Sequence, residues 1–191
     1  MRLRQPRVQQ LTPSELDPET QQMLEGMRVD GKIFNLFTTL AHHPQLMKRW
    51  LVFASHILGK STLPERDREL VILRMGWLSR AEYEWGHHVA IGKRIGLTEE
   101  EIERVSKGPE APGWASFDAA LLRAADELHA DSIVGDSTWK ELSARYTTQQ
   151  MLDLVFTAGQ YKMVSMVLNS VGVQLEEGFQ GFAGGTSASG A

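Results

Sequence analysis

A glutamate and a histidine lie one helical turn apart in the stretch AEYEWGHH, at Glu84 and His88. Residues four apart share one face of a helix, so the two side chains can contact each other. The same stripe contains Ala81, Ile91 and Ile95, which would place the pair on an apolar side of the helix. Burial shifts the pKa values of such a pair and suits it to proton transfer near neutral pH. The spacing therefore makes Glu84 and His88 candidate catalytic residues.

A second carboxylate, Glu69, directly precedes the apolar run LVILRMGWL in what we predict to be the preceding helix. If the two helices pack as antiparallel neighbours joined by a tight turn near Ser79, Glu69 approaches the pair from a second side. Two carboxylates and one imidazole would then converge in an apolar pocket. Alternatively, Glu69 lies at the solvent edge of its helix and pairs with Arg66 or Arg68, and the pair on the next helix is only structural.

Three further residues, Arg74, Tyr83 and Trp85, are candidate substrate contacts. Arg74 interrupts the apolar run, and a guanidinium can hold both oxygens of a substrate carboxylate, although a buried or subunit-interface ion pair would explain it equally well. Tyr83 and Trp85 lie on the helix of the candidate pair, where aromatic residues more often belong to the core or to an interface. His87 points about 100° away from His88 around the helix, which favours a surface or interface position.

We predict neither a cofactor nor a metal. The sequence contains no cysteine, which excludes disulfides, thiolate metal ligands and a cysteine nucleophile. Glu69, Glu84 and His88 could together bind a metal, but the chain has no standard ligand motif such as His-Glu-x-x-His. Proton transfer by these side chains needs no bound group.

The composition suits a single globular domain of 191 residues, 42% of them hydrophobic and 23% charged. A formal net charge of -4 provides no basic field that would attract nucleic acid or an anionic membrane. The longest apolar run is broken by Arg74 and is too short to span a bilayer, and no apolar segment follows the N-terminal arginines. We therefore expect a cytoplasmic protein whose partners are a small-molecule substrate and further copies of itself.

The spacing of apolar and capping residues predicts an all-α fold, a single-domain helical bundle without the sustained alternation typical of strands. Prolines interrupt the first thirty residues, so we predict an arm at 1–30, a helical domain at 31–177 and a flexible Gly- and Ser-rich tail at 178–191. Helices are predicted at about 32–40, 44–58, 62–78, 79–95, 98–107, 116–128, 137–146 and 148–177.

The stretch ELVILRMGWLSRAEYEWGHHVAIGKRIGLT, from Glu69 to Thr98, resembles the core of the carboxymuconolactone decarboxylase and alkylhydroperoxidase D superfamily. The later stretches FDAALLRAADELHAD and TWKELSARYTTQQMLDLVFTAGQYKMVSMVLNSVGV are similar to the C-terminal half of its longer members. The resemblance implies a helical bundle that assembles into a homo-oligomer, as a trimer or hexamer.

The peroxidase branch of this superfamily carries a Glu, then a Cys-x-x-Cys, and then a His four residues after the second Cys. On this chain those positions fall at Glu69, Ala81, Glu84 and His88, so both thiols are absent. Sulfur carries the peroxidatic and resolving steps, so the resemblance does not extend to thiol peroxidase chemistry. The decarboxylase branch carries the Glu-x-x-x-His of Glu84 and His88 but no Glu at position 69, and this chain combines features of both branches.

The resulting hypothesis is a cofactor-free, lyase-type enzyme for a small carboxylated or lactone-like organic acid, acting by decarboxylation or a related proton-transfer elimination or isomerisation. His88 would act as general acid or base, Glu84 would orient it, and Glu69 would assist as a second acid or base. Two alternatives stay open: a non-thiol or vestigial relative of the hydroperoxidases, and a non-enzymatic oligomeric binding protein.

Overall fold

The structure, a computed structural model, describes residues 3–182. Within this range the chain forms helices and turns but no β-sheet, and its β-type pairing is an isolated bridge between Val29 and Lys32. The helical content confirms the predicted all-α class. No helix in this range is long and apolar enough to cross a membrane. After a short 3₁₀ helix at Pro13–Glu15, the described α-helices are α1 (Pro18–Glu25), α2 (Asn35–Leu40), α3 (Pro44–Gly59), α4 (Glu65–Leu78), α5 (Glu82–Arg94), α6 (Glu99–Lys107), α7 (Ser116–Asp131), α8 (Asp136–Ser143) and α9 (Thr148–Val171).

Helix α4 lies at the centre of the fold, where it packs against α5, α6, α7 and α9. Every residue from Asp67 to Gly76 is buried, so this part of the helix has no solvent-facing side. Such a helix is normally apolar, yet α4 also buries Arg68, Glu69 and Arg74. Each of these charges requires compensation inside the protein, and Glu69 finds it at the candidate site described below.

The predicted tight turn near Ser79 joins α4 to α5. Arg80 adopts a left-handed backbone conformation with φ of 52°, and the amide of Ala81 donates a 2.9 Å hydrogen bond to the carbonyl oxygen of Gly76, the arrangement of a Schellman motif. Helix α5 then packs back on α4. A Cβ atom at Gly76 would lie 3.2 Å from Oε1 of Glu84, so the glycine leaves room for this carboxyl group.

Regular structure begins earlier than the sequence predicted, because the N-terminal arm contains a 3₁₀ helix and α1. Pro13 and Pro18 start these elements instead of interrupting them, since proline is tolerated in the first turn of a helix. The carboxylate of Asp17 caps α1. Leu24 of α1 is fully buried in a cluster with Met47 of α3, so the arm is packed on the helical domain.

The chain after α9 turns away instead of continuing as the predicted helix to residue 177. Gly172 adopts a left-handed conformation with φ of 77° and ends α9. Residues 173–182, which we call the C-terminal strap, then lie against α5, where the ring of Phe179 stacks on that of His87 with 4.1 Å between ring centroids. The predicted flexible tail, 178–191, is therefore packed up to residue 182, and the rest of it lies outside the described residues.

Gly86 on α5 lies directly under the strap, because a Cβ atom there would come within 2.7 Å of the carbonyl oxygen of Gln180. We expect Gly86→Ala to displace the strap and to lower the free energy of unfolding by about 1–3 kcal/mol, or about 2–12 °C in Tm. Gly59→Ala is the matched control, since nothing lies within 4 Å of that position. Thermal unfolding and limited proteolysis check this prediction. Equal melting and cleavage of the two variants would contradict the packing of the strap on Gly86.

Candidate functional site

His88 of α5 and Glu69 of α4 form a buried hydrogen-bonded pair. Nδ1 of His88 lies 2.7 Å from Oε2 of Glu69, and the two residues are 7% and 0% exposed. Because a carboxylate oxygen only accepts hydrogen bonds, Nδ1 carries the proton, and the lone pair of the neutral ring lies on Nε2. The hydrogen bond described for this imidazole is the one at Nδ1. The pair therefore offers one ring nitrogen, with its tautomer set by Glu69, to a bound molecule.

Glu84 is the second carboxyl group of the cluster and is 3% exposed. Its Oε2 accepts a 3.1 Å hydrogen bond from Oγ of Ser165 on α9, and its Oε1 is enclosed without a partner among the described residues. Burial raises the pKa of Glu84 well above the ordinary value, and the hydrogen bond from Ser165 opposes this shift. The neutral carboxylic acid is therefore favoured at pH values where an exposed glutamate is ionised.

Tyr161 of α9 closes the cluster from a third helix. Its ring meets the imidazole of His88 edge-on, with 4.8 Å between ring centroids. Burial, and then the negative charges of Glu69 and Glu84, raise the pKa of the Tyr161 phenol well above its ordinary value. The hydroxyl group therefore stays protonated and can donate a hydrogen bond to a ligand.

The two carboxyl groups of the cluster, Glu69 and Glu84, have different surroundings. Glu69 has His88 and Arg68 as partners, the latter through a 3.5 Å contact between Nε and Oε1, whereas the described partner of Glu84 is the neutral Ser165. Nε2 of His88 and the carboxyl group of Glu84, whose pKa is raised by burial, thus lie one turn apart on α5. This arrangement can remove a proton from one atom of a small molecule and supply a proton to another.

The structure brings Glu69, Glu84 and His88 together but reverses the expected pairing. The sequence suggested that Glu84 orients the imidazole, whereas Glu69 holds the ring and Glu84 binds Ser165. The i,i+4 spacing places two side chains on one helix face, but the contact at Nδ1 is set by how α4 packs on α5. The catalytic roles of the three residues stay a prediction.

Arg74 has its partners inside the protein. Its Nε and Nη2 atoms donate to the two carboxylate oxygens of Asp126 at 2.5 and 2.9 Å, and Nη1 donates to the carbonyl oxygens of Val105 and Ser106 at 2.9 and 3.1 Å. This is the buried ion pair that the sequence left as the alternative. It ties α4 to α6 and α7, and we do not carry Arg74 into the proposed site as a substrate contact.

Tyr83 and Trp85 contact the C-terminal strap. The hydroxyl of Tyr83 donates to Oε1 of Glu176 at 2.8 Å, and Oε2 of the same glutamate lies 2.7 Å from Nε2 of His87. The ring of Trp85 packs against Phe182, with 5.6 Å between ring centroids. These contacts fasten the strap to α5 and fit the alternative of core aromatics better than substrate binding.

The contribution of α9 was missed in the sequence. Thr157, Tyr161 and Ser165 recur every four residues and are 0%, 6% and 0% exposed, so they form a polar stripe on a buried face. That spacing in an otherwise apolar helix is a signal the sequence does contain. Arg68 was considered only as a solvent-edge partner of Glu69, but it is 7% exposed.

In the part of the chain that the structure describes, no three His, Asp or Glu side chains are placed so that they could hold an ion, and the absence of a metal stays a prediction. Glu69 and His88 instead bind each other. A cofactor-free reaction stays a prediction.

The chain is thus an all-α protein built around a buried carboxylate–imidazole pair. A model of the Carboxymuconolactone decarboxylase family matches residues 44–127, the segment that contains Glu69, Glu84 and His88. A search of curated proteins found no match to the sequence.

Several solved structures have a similar fold. A protein from Ralstonia eutropha JMP134, described as an alkylhydroperoxidase AhpD core and uncharacterized peroxidase-related protein, has a TM-score of 0.77 at 16% identity over 89% of this chain and 93% of that chain. An uncharacterized peroxidase-related protein from Silicibacter sp. TM1040 has a TM-score of 0.77 at 16% identity over 92% and 91%. A cysteine-to-alanine variant of the debrominase Bmp8, in complex with 2,3,4-tribromopyrrole, has a TM-score of 0.75 at 15% identity over 89% and 91%.

At these identities the structural likeness establishes the fold. The family match over residues 44–127 and the shared fold support the resemblance to the carboxymuconolactone decarboxylase and alkylhydroperoxidase D superfamily that the sequence indicated.

Proposed function

We propose that the protein is a lyase-type enzyme that transfers protons on a small carboxylated or lactone-like organic acid, in a decarboxylation, elimination or isomerisation, without a cofactor. The observation that supports this most strongly is the buried 2.7 Å bond between His88 and Glu69, next to a Glu84 carboxyl group whose pKa is raised by burial. Burying three ionisable groups together costs stability, and acid–base catalysis commonly uses buried groups with shifted pKa values.

In an isomerisation, Nε2 of His88 removes a proton from a substrate carbon, and the imidazolium stays bound to Glu69. The electron pair of the broken C–H bond moves toward a substrate carbonyl oxygen, which takes the proton of the neutral Glu84. The imidazolium then protonates a different carbon of the substrate, and the oxygen returns its proton to Glu84, which restores the resting site. In a decarboxylation, a protonated His88 would supply the proton to the carbon that loses carbon dioxide.

A vestigial or non-thiol relative of the hydroperoxidases is the second candidate, favoured by the similarity to peroxidase-related structures. Against a thiol mechanism, Ala81 and Glu84 occupy the two cysteine positions of that branch, and the chain has no cysteine elsewhere. No residue can form a sulfenic acid or a disulfide. Peroxide reduction coupled to a dithiol donor should therefore stay at the level of a protein-free control.

The proposal is tested by incubating the full chain, free of metal and haem, with a panel of small carboxylated lactones and related acids in D₂O. Loss of substrate, release of carbon dioxide and incorporation of deuterium into substrate or product are followed by NMR. The expected result is turnover or exchange that His88→Gln lacks, since only the wild type carries the base. Dithiol-coupled peroxide turnover well above the control would overturn the proposal in favour of the second candidate, and conversion of no member of the panel would favour a non-enzymatic binding protein.

The proposal includes a homo-oligomer, because α9 exposes an apolar stripe. Leu152, Phe156, Met163 and Met166 are between 42% and 56% exposed and follow one side of the helix, an arrangement that monomers rarely leave uncovered. Analytical ultracentrifugation at micromolar concentration should give a species larger than the 21.4 kDa chain, and Phe156→Glu with Met163→Glu should dissociate it. A wild-type species with the mass of one chain would contradict this prediction.

A further inference from the structure

We propose that Arg68 is the residue that binds the anionic group of the substrate, so that the site takes a small carboxylate whose charge is held next to His88. This inference rests on the proposed function, because it names the recognition group of the same site. It replaces the role that the sequence suggested for Arg74.

The inference rests on the guanidinium of Arg68, whose N–H donors are buried with few acceptors among the described residues. The residue is 7% exposed, and its Nε atom is enclosed without a hydrogen-bond partner among residues 3–182. The ion pair described for it is the 3.5 Å contact with Oε1 of Glu69, and that oxygen is itself enclosed without a hydrogen bond from the described part of the chain. A guanidinium carries five N–H donors, and a buried one normally has acceptors for them.

The contrast with Arg74 on the same helix shows what a purely structural arginine looks like here. Arg74 is also 7% exposed, but it binds both oxygens of Asp126 and two backbone carbonyls. Arg68 has the same burial with almost none of this compensation. An unfilled guanidinium of this kind suits an incoming carboxylate, which can accept two parallel hydrogen bonds from it.

The surroundings of Arg68 contain the other groups of the proposed reaction. Its charge acts on the phenol of Tyr161, together with those of Glu69 and Glu84, and the ring of Tyr161 meets that of His88 at 4.8 Å. A carboxylate at Arg68 would therefore lie among the base and the proton donors. Within residues 3–182, most of the enclosed polar side-chain atoms without partners lie on the same three helices, at Arg68 and Glu69 of α4, Glu84 of α5, and Thr157 and Gln160 of α9.

The test measures binding instead of turnover, with two pairs of probes that differ in charge: acetate with acetamide, and benzoate with benzamide. Affinities are measured by NMR titration of the full ¹⁵N-labelled chain. The wild type should bind at least one of the two acids about tenfold more tightly than the corresponding amide, or better. Arg68→Gln should lose this preference because its affinity for that acid falls by about tenfold or more. Arg68→Lys should keep a weaker preference, because it retains the charge but not the planar pair of donors.

Arg123→Gln is the matched control, since Arg123 pairs with Glu141 at a half-exposed position, and it should bind the acids as the wild type does. Equal acid affinity in wild type and Arg68→Gln, or no saturable binding of either acid to the wild type, would overturn the inference. If Arg68→Gln does not fold, the Nε–H resonance of wild-type Arg68, assigned by its loss in Arg68→Lys, must shift with the acid and not with the amide. An unshifted resonance would equally overturn the inference.

The binding test of this inference and the turnover test of the proposed function can give different results. Acid binding that depends on Arg68, in a protein that converts no member of the panel, would leave this inference standing and remove the proposed function. Turnover in a protein whose acid affinity does not depend on Arg68 would leave the proposed function standing and remove this inference.

Discussion

Replacing His88 with Gln is expected to lower the turnover of a converted substrate by about a hundredfold or more, the usual scale for loss of a general acid or base. The amide of glutamine can still donate a hydrogen bond to Glu69, but it cannot take up a proton at neutral pH. In the wild type the 2.7 Å bond to Glu69 directs the lone pair to Nε2, and no other described residue offers an imidazole at this site. Initial rates of wild type and variant on the same substrate check the prediction.

His87→Gln is the matched control for this substitution. Nε2 of His87 also lies 2.7 Å from a carboxylate oxygen, that of Glu176, but this contact holds the C-terminal strap. Both variants should lose about 1–3 kcal/mol of stability, because a flexible amide replaces the packed imidazole and its short hydrogen bond to a carboxylate, and only His88→Gln should lose turnover. A turnover of His88→Gln within about threefold of the wild type, or equal losses in the two variants, would remove His88 from the catalytic assignment.

Replacing Glu84 with Gln is expected to stabilise the protein, and increasingly so as the pH rises. Burial raises the folded-state pKa of Glu84 above its ordinary value of 4.5, so between these two values the folded chain binds a proton that the unfolded chain has lost. Stability of the wild type therefore falls with rising pH in this window, by about 1.4 kcal/mol per pH unit. Glutamine removes this cost and can still accept the hydrogen bond from Ser165.

Thermal unfolding from pH 4 to pH 8 measures the effect. The two proteins should melt alike below about pH 4.5, and the variant should melt higher by roughly 3–5 °C for each pH unit above that value, until the folded-state pKa is reached. A variant that melts below the wild type at pH 7 would show that Glu84 is an ionised, stabilising group and not a neutral acid.

Glu176→Gln provides a control of opposite sign. Burial alone would raise the pKa of Glu176, but hydrogen bonds from His87, the Asn35 amide and Tyr83 lower it. A lowered folded-state pKa contributes stability above the unfolded value, and this stability is lost as the pH falls through the folded value. Glu176→Gln should therefore melt below the wild type at pH 7 and approach it on acidification.

The two site variants also separate the functional from the structural interpretation of the cluster. A loss of more than about 8 °C in both His88→Gln and Glu84→Gln, roughly 3 kcal/mol in a chain of this size, would indicate that the groups are retained for stability. The structure leads us to expect a moderate loss for His88→Gln and a gain for Glu84→Gln. Opposite signs in the two variants fit a site whose groups stability alone would not select.

Much of the architecture follows from local patterns. The i,i+4 spacing of Glu84 and His88 placed both on one face of α5, and the residues around Ser79 indicated the turn that brings α4 back against α5. Periodicity predicted an all-α fold, and the stretch from Glu69 to Thr98 indicated the family whose model matches residues 44–127. These properties depend on residues close together in the chain, which is why the sequence alone contains them.

The partner of each charge was decided only by the tertiary structure. Glu69 meets His88 across 19 positions of the chain, and Arg74 meets Asp126 across 52, whereas the ion pair described for Arg68 is a long contact with the adjacent Glu69. Helical periodicity states which residues share a face, but it contains no information on the rotation and depth at which one helix packs on another. A shift of one residue between α4 and α5 would exchange these partners without changing any local pattern. The packing of the helices therefore decided the roles of the arginines at 68 and 74 and of the glutamates at 69 and 84.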